Sequence, residues 1–214
     1  MDLSNYFVNN VIDQVFRGQA ALVPGSVYIA LISAANGIRA NSTVYGAGAV
    51  MVALASDGTY HLYKTTAGGT SASSAPTFPG VANETVTDGS VTWVEQNAGL
   101  KAGTAIVEPT IGTGSYARVQ VLSTLTAWAG TQGAGTTTAS TGTSGTTSNN
   151  AAVTFPAPTS DWAASPAVVW GIAIYDAATG GNLLGFAPTT GPVPVPNGSP
   201  APSIPNADLT INLS

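Results

Sequence analysis

Apolar residues in this chain recur at two different spacings, and the change between them comes early. Leu3, Phe7, Val8, Val11, Val15 and Phe16 fall three and four residues apart, the stripe of an amphipathic helix. Ser4 or Asp2 stands where such a helix needs an N-cap, and Gly18 follows Arg17 where it needs a stop. Two roles are open to this helix: closing one end of a β core, or anchoring the protein to a partner. From Pro24 onward the apolar runs shorten to strand length. Those at 26–32, 117–122, 151–155, 167–175 and 182–187 are rich in aliphatic and aromatic residues and are bounded by turn formers. The run at 208–213 alternates as a strand with one wet face does. Asp176-Ala177-Ala178-Thr179-Gly180-Gly181 joins two runs with the residues of a hairpin loop. Many short strands separated by turns predict an all-β fold, a jelly-roll-like β-sandwich with a short N-terminal α-helix.

The segment 43–97 has its own grammar. It holds Tyr60-His61-Leu62-Tyr63-Lys64, then a Gly/Ser/Ala/Pro stretch to Pro79, then two runs joined by Asp88-Gly89, a strong hairpin signal. The expectation is a small β-hairpin module inserted into a host domain formed by 1–42 and 98–214, and projecting from one of its loops. Two host stretches read as extended arms. Residues 129–150 are almost entirely Gly, Thr, Ser and Ala, and residues 185–205 carry Pro188, Pro192, Pro194, Pro196, Pro200, Pro202 and Pro205. A loop of the first kind seldom orders alone, so a neighbouring chain in a symmetric assembly is expected to hold it.

Charge sharpens this picture. Charged residues make up 7% of the chain, against roughly a quarter in an ordinary soluble protein. A surface of Thr, Ser, Asn, Gly, Ala and Pro has little repulsion to keep copies apart and suits packing against neighbours. The net charge is −5 and the five basic residues are scattered, which argues against nucleic acid as a partner. No run approaches a membrane span, and the N-terminus lacks the basic and apolar regions of a secretory signal.

Composition also removes most chemistry. There is no cysteine and one histidine, His61, so a thiol nucleophile or a Cys/His metal site is not expected. His61 sits in an alternating strand where an imidazole more often faces solvent than a nucleophile. Neither a dinucleotide-binding glycine fingerprint nor a phosphate-binding loop is present. No catalytic residue, cofactor or metal is expected. Glu108 and Arg118 flank a Gly/Thr turn and are placed to pair, weakly if exposed. The aromatic residues Tyr60, Tyr63 and Trp93 of the inserted segment are the candidate stacking platforms for a host-surface glycan, although tryptophan in a β chain is more often core.

Two stretches carry a resemblance. Leu3-Ser4-Asn5-Tyr6, Val27-Tyr28-Ile29-Ala30-Leu31, Gly114-Ser115-Tyr116-Ala117-Arg118, Ser148 through Pro156, Asp161-Trp162 and Ile174 through Leu184 together resemble small tailed-bacteriophage virion proteins of the tail-fibre and structural-protein kind. The insert is similar to a short module that recurs in phage structural proteins, through Tyr63 through Ser71, Ala75 through Pro79 and Val86 through Trp93, with Phe78 where that pattern has tryptophan. The resemblance implies a non-enzymatic virion component assembled in the host cytoplasm, whose partners are its own copies and other virion proteins. A head decoration protein and a host-surface glycan-binding adhesin are the alternatives.

Overall fold

The strand-length runs become strands, but they pair in an order that chain proximity does not dictate. The computed structural model describes residues 1–20 and 24–213. In chain order these contain β1 (Asp2–Leu3), α1 (Asn5–Arg17), β2 (Ser26–Ala34), β3 (Val44–Tyr45), β4 (Val50–Leu54), β5 (Tyr60–Thr65), β6 (Gly69–Thr70), β7 (Thr85–Asp88) and β8 (Val91–Glu95). A short α2 (Asn97–Lys101) leads back to β9 (Val119–Leu122). Then come β10 (Thr146–Ser148), β11 (Val153–Thr154), β12 (Val168–Tyr175), β13 (Leu183–Val193), β14 (Ser203–Ile204) and β15 (Thr210–Asn212).

A five-stranded antiparallel sheet runs β1-β13-β12-β2-β9, and a four-stranded one runs β4-β5-β8-β7. Strands β2 and β9 are neighbours in space although six strands intervene in sequence, so β3 to β8 form an insertion between adjacent strands of the larger sheet. Alternate side chains of β2 serve two cores. Ile29 and Leu31 face one, covered by Tyr116, Phe155, Trp162 and Leu209, while Ala30, Ile32 and Ala34 face the other. Strand β12 begins with Val168 and Trp170 in the second core, yet beyond Gly171 the parity inverts, with Ile172 and Ile174 in the first and Ala173 in the second. A register shift between Val169 and Gly171 marks a bulge there, and one extra residue is what moves later side chains to the opposite face.

The second core overturns the expectation of a projecting insert. Val52 of β4 and Leu62 of β5 pack with Ile32, Trp170 and Phe186, so the two sheets lie face to face as a β-sandwich. The opposite face of the smaller sheet closes over a third core of Tyr45, Met51, Tyr63, Phe78, Val91 and Trp93. Two-sided burial shows as consecutive buried residues, Met51-Val52-Ala53 in β4 and Leu62-Tyr63 in β5, and each face needs its own cover.

Both expected arms are also corrected. Residues 185–193 belong to β13, with Phe186, Ala187 and Pro188 opposite Ala173, Ile172 and Gly171. Val195 exchanges main-chain bonds with Ala163, and Ser203–Ile204 pairs with β11. The residues between the prolines keep their N–H donors, and in a half-buried run those donors must pair. The Gly/Thr stretch closes on itself. Gln132 donates to Thr138 Oγ1 (3.0 Å) and accepts from Thr141 N–H (3.1 Å), while Asn150 accepts from Gly135 N–H and donates to the Thr136 carbonyl, each at 3.0 Å. Side-chain amides and hydroxyls thus supply in this chain the partners that a neighbouring chain was expected to supply.

Candidate functional site

Of the three residues expected to stack on a glycan, two are in the core. Tyr63 and Trp93 are 0% exposed. Trp93 packs edge-on against Tyr45 (4.9 Å between centroids), and Tyr63 packs against Phe78 while its hydroxyl donates to the Pro79 carbonyl at 2.6 Å. Burial pushes the Tyr63 phenol well above its ordinary pKa. Neither ring offers a free face to a ligand. Tyr60 is half-buried and lines a different space, a cavity of about 290 Å³ where β5 meets β13.

The same cavity is lined by His61, Asp57, Glu95 and Trp170. His61 does not face bulk solvent as expected but is clamped between carboxylates. Its Nδ1 lies 2.9 Å from Glu95 Oε1, and its Nε2 lies 2.9 Å from Asp57 Oδ2 and 3.0 Å from Thr59 Oγ1. The second Glu95 oxygen accepts the Asn97 N–H at 2.8 Å, at the start of α2. A hydroxyl, an imidazole and a buried carboxylate thus stand in line, but Asp57 shares the imidazole nitrogen that a base would need free. The Glu95 hydrogen bond, opposed by burial and reinforced by Asp57, raises the His61 pKa. With a carboxylate on each ring nitrogen, neither nitrogen is left free to take the Thr59 proton. The arrangement is a charge clamp joining the 57–61 turn, β8 and α2. Among the described residues no group of three or more His, Cys, Asp or Glu side chains is placed to hold a metal ion.

Two further ion pairs are buried. Asp88 accepts from Arg39 Nε (3.0 Å) and Nη2 (2.8 Å) and from Ala72 N–H (2.9 Å). Burial works against the Asp88 carboxylate, but the Arg39 and Ala72 hydrogen bonds outweigh it and hold its pKa below the ordinary range. Arg118 grips Glu108 through Nε and Nη2, spans the Ala177 and Gly180 carbonyls through Nη1, and lies 3.5 Å over the Tyr175 ring. The Arg118 side chain is only 5% exposed, so this pair is stronger than an exposed Glu108–Arg118 contact.

The outer surface is different in kind. Phe7 and Tyr6 of α1 pack against the core, and Ser4 caps the helix by accepting from Phe7 N–H at 3.1 Å and donating to the Leu183 carbonyl. The rest of the stripe is bare, with Val8, Val11 and Ile12 exposed and Val15 and Phe16 exposed by 64% and 80%. The two charges of the helix, Asp13 and Arg17, neutralise each other across one turn. One face of the helix therefore closes the end of the core, and the other is left uncovered.

A layered antiparallel sandwich with an almost uncharged surface and an apolar helix face left open has the build of a structural subunit. A family model described as "Podophage GP4 fiber I protein gp80" matches residues 95–212, just over half of the chain, from the end of β8 to the end of β15. The chain belongs to this family of phage fibre structural proteins and is a virion component. No curated protein matches it. No helix among the described residues is long and apolar enough to cross a membrane.

Proposed function

We propose that this chain is a non-enzymatic accessory subunit of a tailed-phage fibre, made in the host cytoplasm, which joins the particle surface through symmetric subunit contacts and docks by the open face of α1. The observation that carries this reading is the run Val8, Val11, Ile12, Val15 and Phe16, exposed on a helix whose only charges cancel. A contiguous apolar face of this kind on a folded protein marks a contact surface. The clamp on His61 favours a structural role over a hydrolytic one, because both ring nitrogens are engaged. Residues 43–97 are read as a module that thickens the subunit rather than as a separate receptor-binding head.

The test is a Val15→Ser/Phe16→Ser variant carrying an epitope tag, produced during phage growth. We expect unchanged circular dichroism of the purified chain and its loss from purified particles. Incorporation at the wild-type level would exclude docking through α1. Gold labelling of the tag on wild-type particles separates a fibre position from a head position.

A further inference from the structure

The five-stranded sheet ends on β9, and among the described residues no strand pairs with its outer edge. On the far side the sheet closes with the two-residue β1, and the outer strand β4 of the smaller sheet is covered by the 36–39 segment, through Asn36 N–H to the Val50 carbonyl and Arg39 N–H to the Val52 carbonyl. Strand β9 reads Val119-Gln120-Val121-Leu122, without the charge, proline or bulge that guards an exposed edge. Arg118, next to it, is consumed by Glu108 and two carbonyls. The orientation of the free groups follows from the ladder. Ser26 stands opposite Leu122, and Ser123 N–H donates to the Gly25 carbonyl. In an antiparallel ladder the alternate residues 119, 121 and 123 therefore face β2, and the main-chain groups of Gln120 and Leu122 face outward. Beside them runs a groove of about 320 Å³ lined by Val119, Val121, Ala127, Ala151 and Val153.

We infer that β9 pairs antiparallel with β9 of a second copy about a two-fold axis, joining two five-stranded sheets into one continuous sheet. The inference rests on the reading of the chain as a subunit that contacts its own copies. The occupant of the edge must be an uncharged strand with a free edge of its own and apolar side chains at alternate positions, and β9 has all three properties. Centred on Val121, the pairing sets Gln120 against Leu122 of the other copy twice over, which gives partners to both outward main-chain groups of Gln120 and to the Leu122 N–H, while the Leu122 carbonyl, which already accepts from Thr124 N–H at 3.0 Å, takes a second donor. It places Val119 and Val121 of both copies on one face, along the two grooves. With no charge on the strand, no like charges meet across the pairing itself.

The chain contains no cysteine, so a single introduced thiol reports the contact. The two Val121 positions form a non-hydrogen-bonded pair, the closer of the two antiparallel geometries and within reach of a disulfide. Under mild oxidation, Val121→Cys is expected to give a covalent dimer at least tenfold faster than Val44→Cys, whose site is 78% exposed on the insert. Adding Gln120→Pro, which deletes an outward donor, is expected to cut that rate tenfold, and Leu122→Asp is expected to do the same if the proline variant misfolds. Light scattering on the unmodified chain is expected to give a dimer or an even multiple. Equal crosslinking at positions 121 and 44, a monomer at every concentration, or an odd-numbered oligomer without the crosslink would each overturn the pairing. Incorporation into purified particles is scored separately and decides the docking reading, whichever way the crosslink falls.

Discussion

Single side chains hold the inserted sheet together, and the strongest of them pair across long stretches of sequence. Arg39 and Asp88 are 49 residues apart, with side chains 5% and 0% exposed. Removing one partner leaves the other charge buried, so Arg39→Met is expected to destabilise the protein by about 3–5 kcal/mol. Thermal unfolding checks this, and the Arg39→Met/Asp88→Leu double variant should recover part of the loss. His61 makes a pH-dependent contribution. Its folded pKa is raised, so the stability it adds is fully present below its unfolded pKa of about 6.5 and is lost as pH rises through the higher folded value. Urea midpoints should therefore fall between pH 6 and pH 9 by more in the wild type than in His61→Gln. Asp88 and Asp57 are legible in the sequence only as turn formers. Asp57 does cap its own turn through Thr59, but the partner of Asp88 lies on a segment that only the fold brings near.

Elements owe their existence to local pattern and their position to a few anchoring bonds. Helix α1 starts at Ser4 and stops at Gly18, as its sequence predicts. Ser4 is also buried and bonded to the Leu183 carbonyl, which ties the helix to β13. Ser4→Ala is expected to cost about 1–2 kcal/mol and to raise amide exchange throughout α1. The hairpin forms one residue later than its dipeptide indicates, with Asp88 closing β7 opposite Val91 and Gly89-Ser90 as the loop, Gly89 at φ +67°. A Cβ there would sit 2.4 Å from the Thr70 carbonyl oxygen, so Gly89→Val is doubly excluded and should prevent native packing of β7 on β8. Tyr116 is the element-scale joint of the larger sheet. Its hydroxyl accepts from Leu31 N–H at 2.9 Å and donates to Glu108 at 2.8 Å. Tyr116→Phe strands both partners, and we expect a loss of about 1–3 kcal/mol in chemical denaturation.

At the scale of the molecule, Val52 and Leu62 complete the core under Trp170 and Phe186, so the two sheets are expected to unfold together. Leu62→Ala is expected to cost about 2–5 kcal/mol and to lower the single transition seen by both far-UV and tryptophan signals. Deleting 43–97 would bare the face formed by Ala30, Ile32 and Trp170, and the truncated chain should aggregate rather than yield a soluble host domain.

What this chain determined by its order of residues alone is local or averaged: the capped helix, strands at 26–34 and 168–175 and the opening of the strand at 183–193, a turn beside Asp88, and a surface poor in charge. These follow from periodicity, turn stereochemistry and composition, which need no distant partner. Tertiary structure alone decided the rest. It set the insert against the larger sheet, sent Tyr63 and Trp93 inward, clamped His61 between Asp57 and Glu95, and turned two supposed arms into a strand and a self-bonded loop. An alternating strand has two faces, and which one meets water depends on what the rest of the chain lays over it.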